Sequence, residues 1–172
     1  MTESIEIENS LAHHEAGHAV CAWALGYAFE LVSVVPDPDD NRAGGLKSAL
    51  PSREMVWRAV QGDLTTVHAL QVLYAGSVAE ARHEKIQADA VWMSIGSNSD
   101  RMEARRIVDD LTVVSPLADV VFRSAKAQAH DRVDAHWTLV EAAARELRTQ
   151  RVLTQGEIAE LAHGLGGTPD AA

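Results

Sequence analysis

The sequence predicts a mainly α-helical domain that carries a small β-hairpin or three-stranded sheet, an α+β fold. Apolar residues recur at helical spacing along most of the 172 residues. A run over residues 31–35 that is rich in β-branched valine ends at Pro36, which is typical of a short strand. The composition, 47% hydrophobic and 23% charged, is ordinary for a folded domain. We expect one domain over residues 1–165 and a flexible C-terminal tail over residues 166–172.

The first helix is predicted over residues 10–25. Asn9 or Ser10 can cap its N-terminus, and Gly26 is placed to end it. The mixture of polar and apolar residues in this segment indicates an amphipathic helix at the surface of the core.

Two strands are predicted next, over residues 30–35 and 45–50, on either side of a polar, acidic loop. They are too few to enclose a core by themselves, so helices must supply the rest. Apolar spacing predicts a long helix over residues 52–82, which Gly62 and Gly76 could interrupt.

The C-terminal half is predicted to be helical. One helix begins near Asn98 and is broken at Pro116, and two more follow over residues 117–132 and 134–150. Residues 154–157 have the Thr-x-x-Glu form of a capping box and open a short final helix.

The charge argues against nucleic acid as a class of partner. The chain has 25 acidic and 15 basic residues, a formal charge of −10, which repels nucleic-acid phosphates.

The sequence also indicates where the protein is located. No apolar run approaches the roughly 18 residues that a membrane span needs. The single Cys21 cannot form an internal disulfide, and the first ten residues do not resemble a secretion signal. We therefore expect a cytoplasmic protein with no membrane span and no nucleic-acid partner.

Residues 14–18 have the HExxH pattern of zinc metallopeptidases. The i, i+4 spacing puts His14 and His18 on one helix face, where both can bind one ion. Glu15 can reach a metal-bound water without being a ligand. The alternative is a pair of ordinary histidines on an amphipathic helix. Gly17 is unfavourable in a helix by about 1 kcal/mol relative to alanine, which suggests that another element packs closely there.

A catalytic zinc usually has three protein ligands and a water, so a third ligand must lie elsewhere in the chain. Cys21 follows His18 by about one turn, but a straight helix carries it away, and we interpret it as a buried thiol. Glu80 and Glu84 could supply a carboxylate, although a solvated helix face is the simpler interpretation. Asp100 could equally be a residue that favours a helix start.

The chain resembles the peptidase domain of the FtsH-type ATP-dependent zinc proteases. His14-Glu15-Ala16-Gly17-His18-Ala19-Val20 is similar to the HEAGHA segment of that family. Further similarity covers residues 32–36, the strand after Gly44-Gly45, residues 74–80, and residues 96–100, which match the family's Gly-x-x-x-Asp. The resemblance spans residues 9–165 and implies Zn²⁺ as cofactor, held by His14, His18 and Asp100. Met93-Ser94-Ile95 departs from the family, which has threonines before the glycine.

The resemblance implies a zinc metalloendopeptidase that hydrolyses flexible or unfolded polypeptides by means of a Glu15-activated zinc-bound water. A GxxxxGK[ST] phosphate loop does not occur, so the chain looks like the peptidase domain standing alone. The implied partners are a polypeptide substrate, a separate ATPase and further copies of the chain. The alternative is a non-catalytic zinc-binding interaction module of the same fold. Glu15 argues against it, because a structural site needs no base beside its ligands.

Overall fold

The computed structural model describes residues 2–36, 44–48, 65–114 and 116–170. In these segments the chain is mainly helical, with a small three-stranded antiparallel sheet, so the predicted fold class is confirmed. None of the helices described there is long and apolar enough to cross a bilayer. The elements in chain order are α1 (Thr2–Ala24), β1 (Phe29–Ser33), β2 (Gly45–Ser48), α2 (Thr65–Glu84), α3 (Ala88–Trp92), α4 (Asn98–Val114), α5 (Ala118–Ala135), α6 (Trp137–Gln150), β3 (Val152–Thr154) and α7 (Gln155–Gly164).

Helix α1 lies at the centre of the molecule, and its residues 12–24 are buried on every side, so the prediction of an amphipathic helix was wrong. Every residue from 12 to 24 is buried, including the polar residues of the HExxH pattern. The helix also begins at Thr2, so a cap at Asn9 or Ser10 was wrong. Residues 2–9 contain no glycine or proline that would stop a helix from extending. The predicted C-terminal end is correct.

Gly26 ends α1 in the way its position predicts. It has a φ of +63°, which glycine adopts without strain. Its N–H donates to the carbonyl of Trp23 at 3.0 Å, and the N–H of Tyr27 donates to that of Ala22 at 2.8 Å. These two bonds form a Schellman motif, which satisfies carbonyls at the helix end.

The sheet has the order β2-β1-β3, with β1 in the middle. Val32 of β1 is opposite Leu46 of β2 on one side and Leu153 of β3 on the other. The sequence did not locate β3, since a strand of three residues shows no periodicity. Residues 37–43 and 49–64 lie outside the described residues, and with them the predicted acidic loop and the first part of the predicted long helix.

Helix α2 packs directly on α1 at Gly17. A β-carbon at Gly17 would stand 2.6 Å from both the carbonyl oxygen of Ala75 and the β-carbon of Ala79. The expectation of close packing at Gly17 is therefore confirmed. Gly76 does not interrupt α2, which continues to Glu84.

The C-terminal helices agree with the prediction except at their boundaries. Helix α3 was not predicted, and α5 runs to Ala135, past the expected end at residue 132. The capping box is confirmed: Thr154 Oγ1 accepts from the N–H of Glu157 at 3.3 Å, and Glu157 Oε2 accepts from the N–H of Thr154 at 2.7 Å.

Asp170, in the segment assigned to the tail, contacts the folded part of the chain. Its N–H donates to the carbonyl of Ala24 at 3.0 Å. Its carboxylate lies 3.0 Å from Arg132 Nε and 3.0 Å from His136 Nε2. These contacts join the end of the chain to the end of α1 and to the junction of α5 and α6.

Candidate metal centre

Two buried imidazoles of α1 meet one half-buried carboxylate of α4. The Nε2 atoms of His14 and His18 lie 3.1 Å and 3.3 Å from Oδ2 of Asp100. One ligand atom from each residue can be chosen so that all three lie within 4.8 Å of one another. Among the described residues no other group of His, Cys, Asp or Glu side chains is arranged in this way. The fold thus joins residues that are 86 positions apart.

The outward nitrogens of both imidazoles are held by acceptors. His18 Nδ1 lies 2.7 Å from the backbone carbonyl of Val72, which can only accept, so Nδ1 carries the proton. His14 Nδ1 lies 2.7 Å from Oε2 of Glu80. In neutral rings this arrangement leaves Nε2 with a free lone pair directed at the cluster. Such outer partners are typical of histidines that bind metal.

Glu80 therefore has a role that the sequence interpretation missed. From the sequence, a solvated helix face was preferred for Glu80 over a carboxylate that serves the site, but its side chain turns to His14. Glu84, one turn further along, is exposed and pairs with Ser10. The only feature of the local sequence that hinted at this role was the position of Glu80 four residues after Gly76. That spacing could be interpreted only after the packing of α2 on α1 was known.

Gly76 makes room for both rings. A β-carbon at Gly76 would lie 2.4 Å from His18 Nε2 and 2.8 Å from His14 Cδ2. The imidazoles therefore rest against the backbone of α2, where a side chain would fill the space that they occupy. This cradle and the set of two nitrogen donors and one oxygen donor fit a small divalent cation, and zinc accepts both donor types.

The carboxylates around the two imidazoles favour the binding of a cation. Burial by itself lowers the pKa of His14, but hydrogen bonds to Asp100 and Glu80 outweigh burial and raise it to about 10. Burial likewise lowers the pKa of His18, and the charge of Asp100 reverses the effect so that the net shift is upward. Burial raises the pKa of Asp100, but the charge of His18 and the hydrogen bond from His14 hold it well below its usual value. The carboxylates of Asp100, Glu80 and Glu15 thus favour positive charge at the two imidazoles.

Glu15 is buried beside this cluster, at the side where the sheet approaches α1. A β-carbon at Gly44 would lie 3.0 Å from Oε1 of Glu15 and 2.5 Å from the carbonyl oxygen of Ser33. Residue 44 immediately precedes β2, so the carboxylate of Glu15 lies against the start of this strand. The charge of Glu15 also contributes to the raised pKa values of His14 and His18.

Cys21 takes no part in the cluster. It is fully buried among apolar residues, and burial raises the pKa of its thiol to about 12. A thiol of this kind is a poor nucleophile and a poor metal ligand at neutral pH. It is a core residue, as the sequence interpretation had it.

No protein-family model matches the chain. A curated relative is the mitochondrial inner membrane m-AAA protease component YTA10 of Saccharomyces cerevisiae, which is 36% identical over 80 residues. The match covers 46% of this chain and 10% of the yeast protein. The chain thus spans a small part of the relative that it matches. This similarity points to the same kind of protease as the HEAGHA segment does.

Proposed function

We propose that this chain is a zinc metallopeptidase domain that hydrolyses peptide bonds in flexible or unfolded polypeptides. His14, His18 and Asp100 would hold the zinc, and Glu15 would act as the general base. The observation that carries the proposal is the cluster of two buried histidines and the half-buried Asp100, with the buried carboxylate of Glu15 next to His14 in the same helix. The similarity to a protease component supports the same class of activity.

Each side chain of the site has a part in this chemistry. When bound, zinc supplies Lewis acidity, which polarises a peptide carbonyl and lowers the pKa of a water ligand towards about 7. Glu15 takes the proton of the attacking water and passes it to the leaving amine. Glu80 and the carbonyl of Val72 hold the imidazoles in the tautomer that binds metal.

Strand β2 offers a place for the substrate backbone. In the part of the chain that the structure describes, β2 pairs with β1 alone and leaves its other edge without a strand. An extended polypeptide can add to such an edge through main-chain hydrogen bonds. Because Gly44 touches Glu15, a substrate on this edge would pass close to the general base. A folded protein has already paired its strands, so flexible or unfolded polypeptides are the fitting substrates.

The test compares the wild type with Glu15→Gln for zinc content and for cleavage of an unfolded protein. We expect zinc in both proteins and a loss of cleavage of about 10²- to 10⁴-fold in the variant, the usual contribution of a general base. Glu84→Gln, an exposed glutamate, is the matched control and should keep both properties. Turnover retained by Glu15→Gln would exclude Glu15 as the base. Zinc without cleavage in both proteins would favour the alternative, a zinc-binding interaction module.

The third ligand is tested by Asp100→Asn, which keeps the size of the side chain and removes its charge. Because the two imidazoles then lose the anionic oxygen between them, we expect zinc occupancy to fall in elemental analysis after dialysis. Unchanged occupancy would leave Asp100 with no role beyond the start of α4.

A further inference from the structure

The segment that leads into α4 holds large apolar side chains in water. Ile95 is 94% exposed and Met93 is 68% exposed, the two highest values among the large hydrophobic residues that the structure describes. Both lie in residues 93–97, which join α3 to α4. Burying one such side chain is worth about 1.5–3 kcal/mol, so this exposure is unfavourable unless something covers it.

The segment is held firmly in this exposed position. The guanidinium of Arg101 donates to the carbonyls of Trp92 at 2.6 Å and Ser94 at 3.2 Å. It also donates to Oδ1 of Asn98 at 2.9 Å. The carbonyl of Ile95 accepts from the N–H of Asn98 at 3.1 Å, which closes a turn. These bonds define the backbone on both sides of Ile95, and in this arrangement its side chain faces solvent.

The same segment borders the metal centre. Ser97 is fully buried, and its hydroxyl lies 3.1 Å from that of Ser77, the residue after Gly76. The turn over residues 95–98 and the first residues of α4 place the Cα of Ile95 within about 12 Å of that of Asp100. A strand advances about 3.3 Å per residue, so a substrate residue three or four positions from the cleaved bond can reach Ile95.

We propose that Ile95, together with Met93, is a specificity-determining contact. It selects polypeptides that carry a large apolar side chain within a few residues of the cleaved bond. The inference rests on the proposed function, because it concerns the substrates of the same site.

The test uses two sets of fluorogenic peptides that differ only in leucine or serine at the three or four positions beside the cleaved bond. For the wild type we expect the leucine peptides to be cleaved with the higher kcat/KM. Ile95→Ser should lower kcat/KM for the leucine peptides about tenfold and leave the serine peptides and the zinc content unchanged. Ile86→Ser is the matched control, because Ile86 is 53% exposed and lies at the opposite end of α3. It should behave as wild type.

A binding measurement separates this inference from the proposed function. In the Glu15→Gln background, fluorescence anisotropy should show that Ile95→Ser weakens binding of the leucine peptide about tenfold. Ile95-dependent binding without cleavage by the wild type would overturn the peptidase proposal and keep Ile95 as a peptide contact. Equal effects on both peptides, or none, would overturn the role of Ile95. A change in oligomeric mass without a change in selectivity would assign Ile95 to a contact between copies and overturn it as well.

Discussion

His13 and His14 are adjacent on α1 and both are buried, yet the groups that surround their rings differ. Carboxylates face both nitrogens of His14, and its pKa is raised to about 10. The ring of His13 stacks on that of His83, with centroids 3.8 Å apart and planes 11° apart. Burial lowers the pKa of His13, and a hydrogen bond to the carbonyl of Asn9 only partly opposes this. Burial of a histidine therefore does not make it a metal ligand; the anionic oxygens around it do.

The face of His13 is an aromatic packing surface. Trp137 lies 6.0 Å from the His13 ring, and the guanidinium of Arg82 stands 4.4 Å above the ring of Trp137. The positive charge of Arg82 therefore already occupies this side of α1. The two faces of one helix consequently serve different ends, packing on one side and a candidate metal centre on the other.

The largest difference in zinc affinity should appear between the variants that remove His14 from one face and His13 from the other. His14→Ala deletes a ligand and should lower zinc affinity by more than the roughly 100-fold attributed to outer partners. His13→Ala deletes ring packing and the hydrogen bond to Asn9, and it should keep the zinc affinity of the wild type. Competition with a chromogenic chelator measures both. If His13→Ala loses zinc to the same degree, the assignment of the two faces is wrong.

Gly76→Ala should be the next largest effect, because its β-carbon would overlap with both ligand imidazoles. We expect zinc affinity to fall by about 100-fold, comparable to the loss of a strong outer partner, since the rings must move by about 1 Å to restore van der Waals contact. Gly156→Ala is the control. Its β-carbon meets nothing closer than Thr154 Oγ1 at 3.8 Å. Equal zinc affinities for the two variants in the chelator assay would show that the cradle is not needed.

Glu80→Gln should have a smaller effect on the same face. The amide can still accept from His14 Nδ1 but lacks the charge that strengthens the ring as a ligand. We expect a loss of zinc affinity between about 10- and 100-fold. Glu84→Gln, one turn away and exposed, should change nothing. Titration with chelator distinguishes them, and a Glu80 variant with wild-type affinity would restore the solvated-face interpretation.

The smallest effect is expected on the face of His13. His83→Ala removes the ring that stacks on His13, so the free energy of unfolding should fall by about 1 kcal/mol. Zinc affinity should not change, because no atom of His83 belongs to the candidate centre. Urea unfolding and chelator competition on the same preparation check both statements. A tenfold loss of zinc affinity would mean that the two faces are coupled.

Parts of the fold were misjudged from the sequence for reasons that the structure makes plain. The polar residues of α1 suggested an amphipathic helix, but His13, His14 and Glu15 are polar and buried together. Asn9 and Ser10 are good caps, yet a cap residue does not start a helix when the residues before it can continue it. Strand β3 is too short to show a pattern and exists because β1 offers it a partner.

The local features of this protein were determined by the sequence alone. The i, i+4 spacing of His14 and His18, the neighbouring Glu15 and the helix end at Gly26 all follow from the geometry of one helix. Asp100 came from the family resemblance and not from spacing, because a carboxylate at a helix start has a sufficient local explanation.

Only the tertiary structure decided what surrounds these residues. Glu80 meets His14 across 66 positions, Asp100 meets both imidazoles, and Gly76 clears the space between them, because α2 and α4 pack against α1. The placement of Gly44 against Glu15 likewise depends on the sheet. Such contacts depend on how whole elements dock, and no periodicity within one segment carries that information. The charges that distinguish His14 from His13 therefore come from distant parts of the chain.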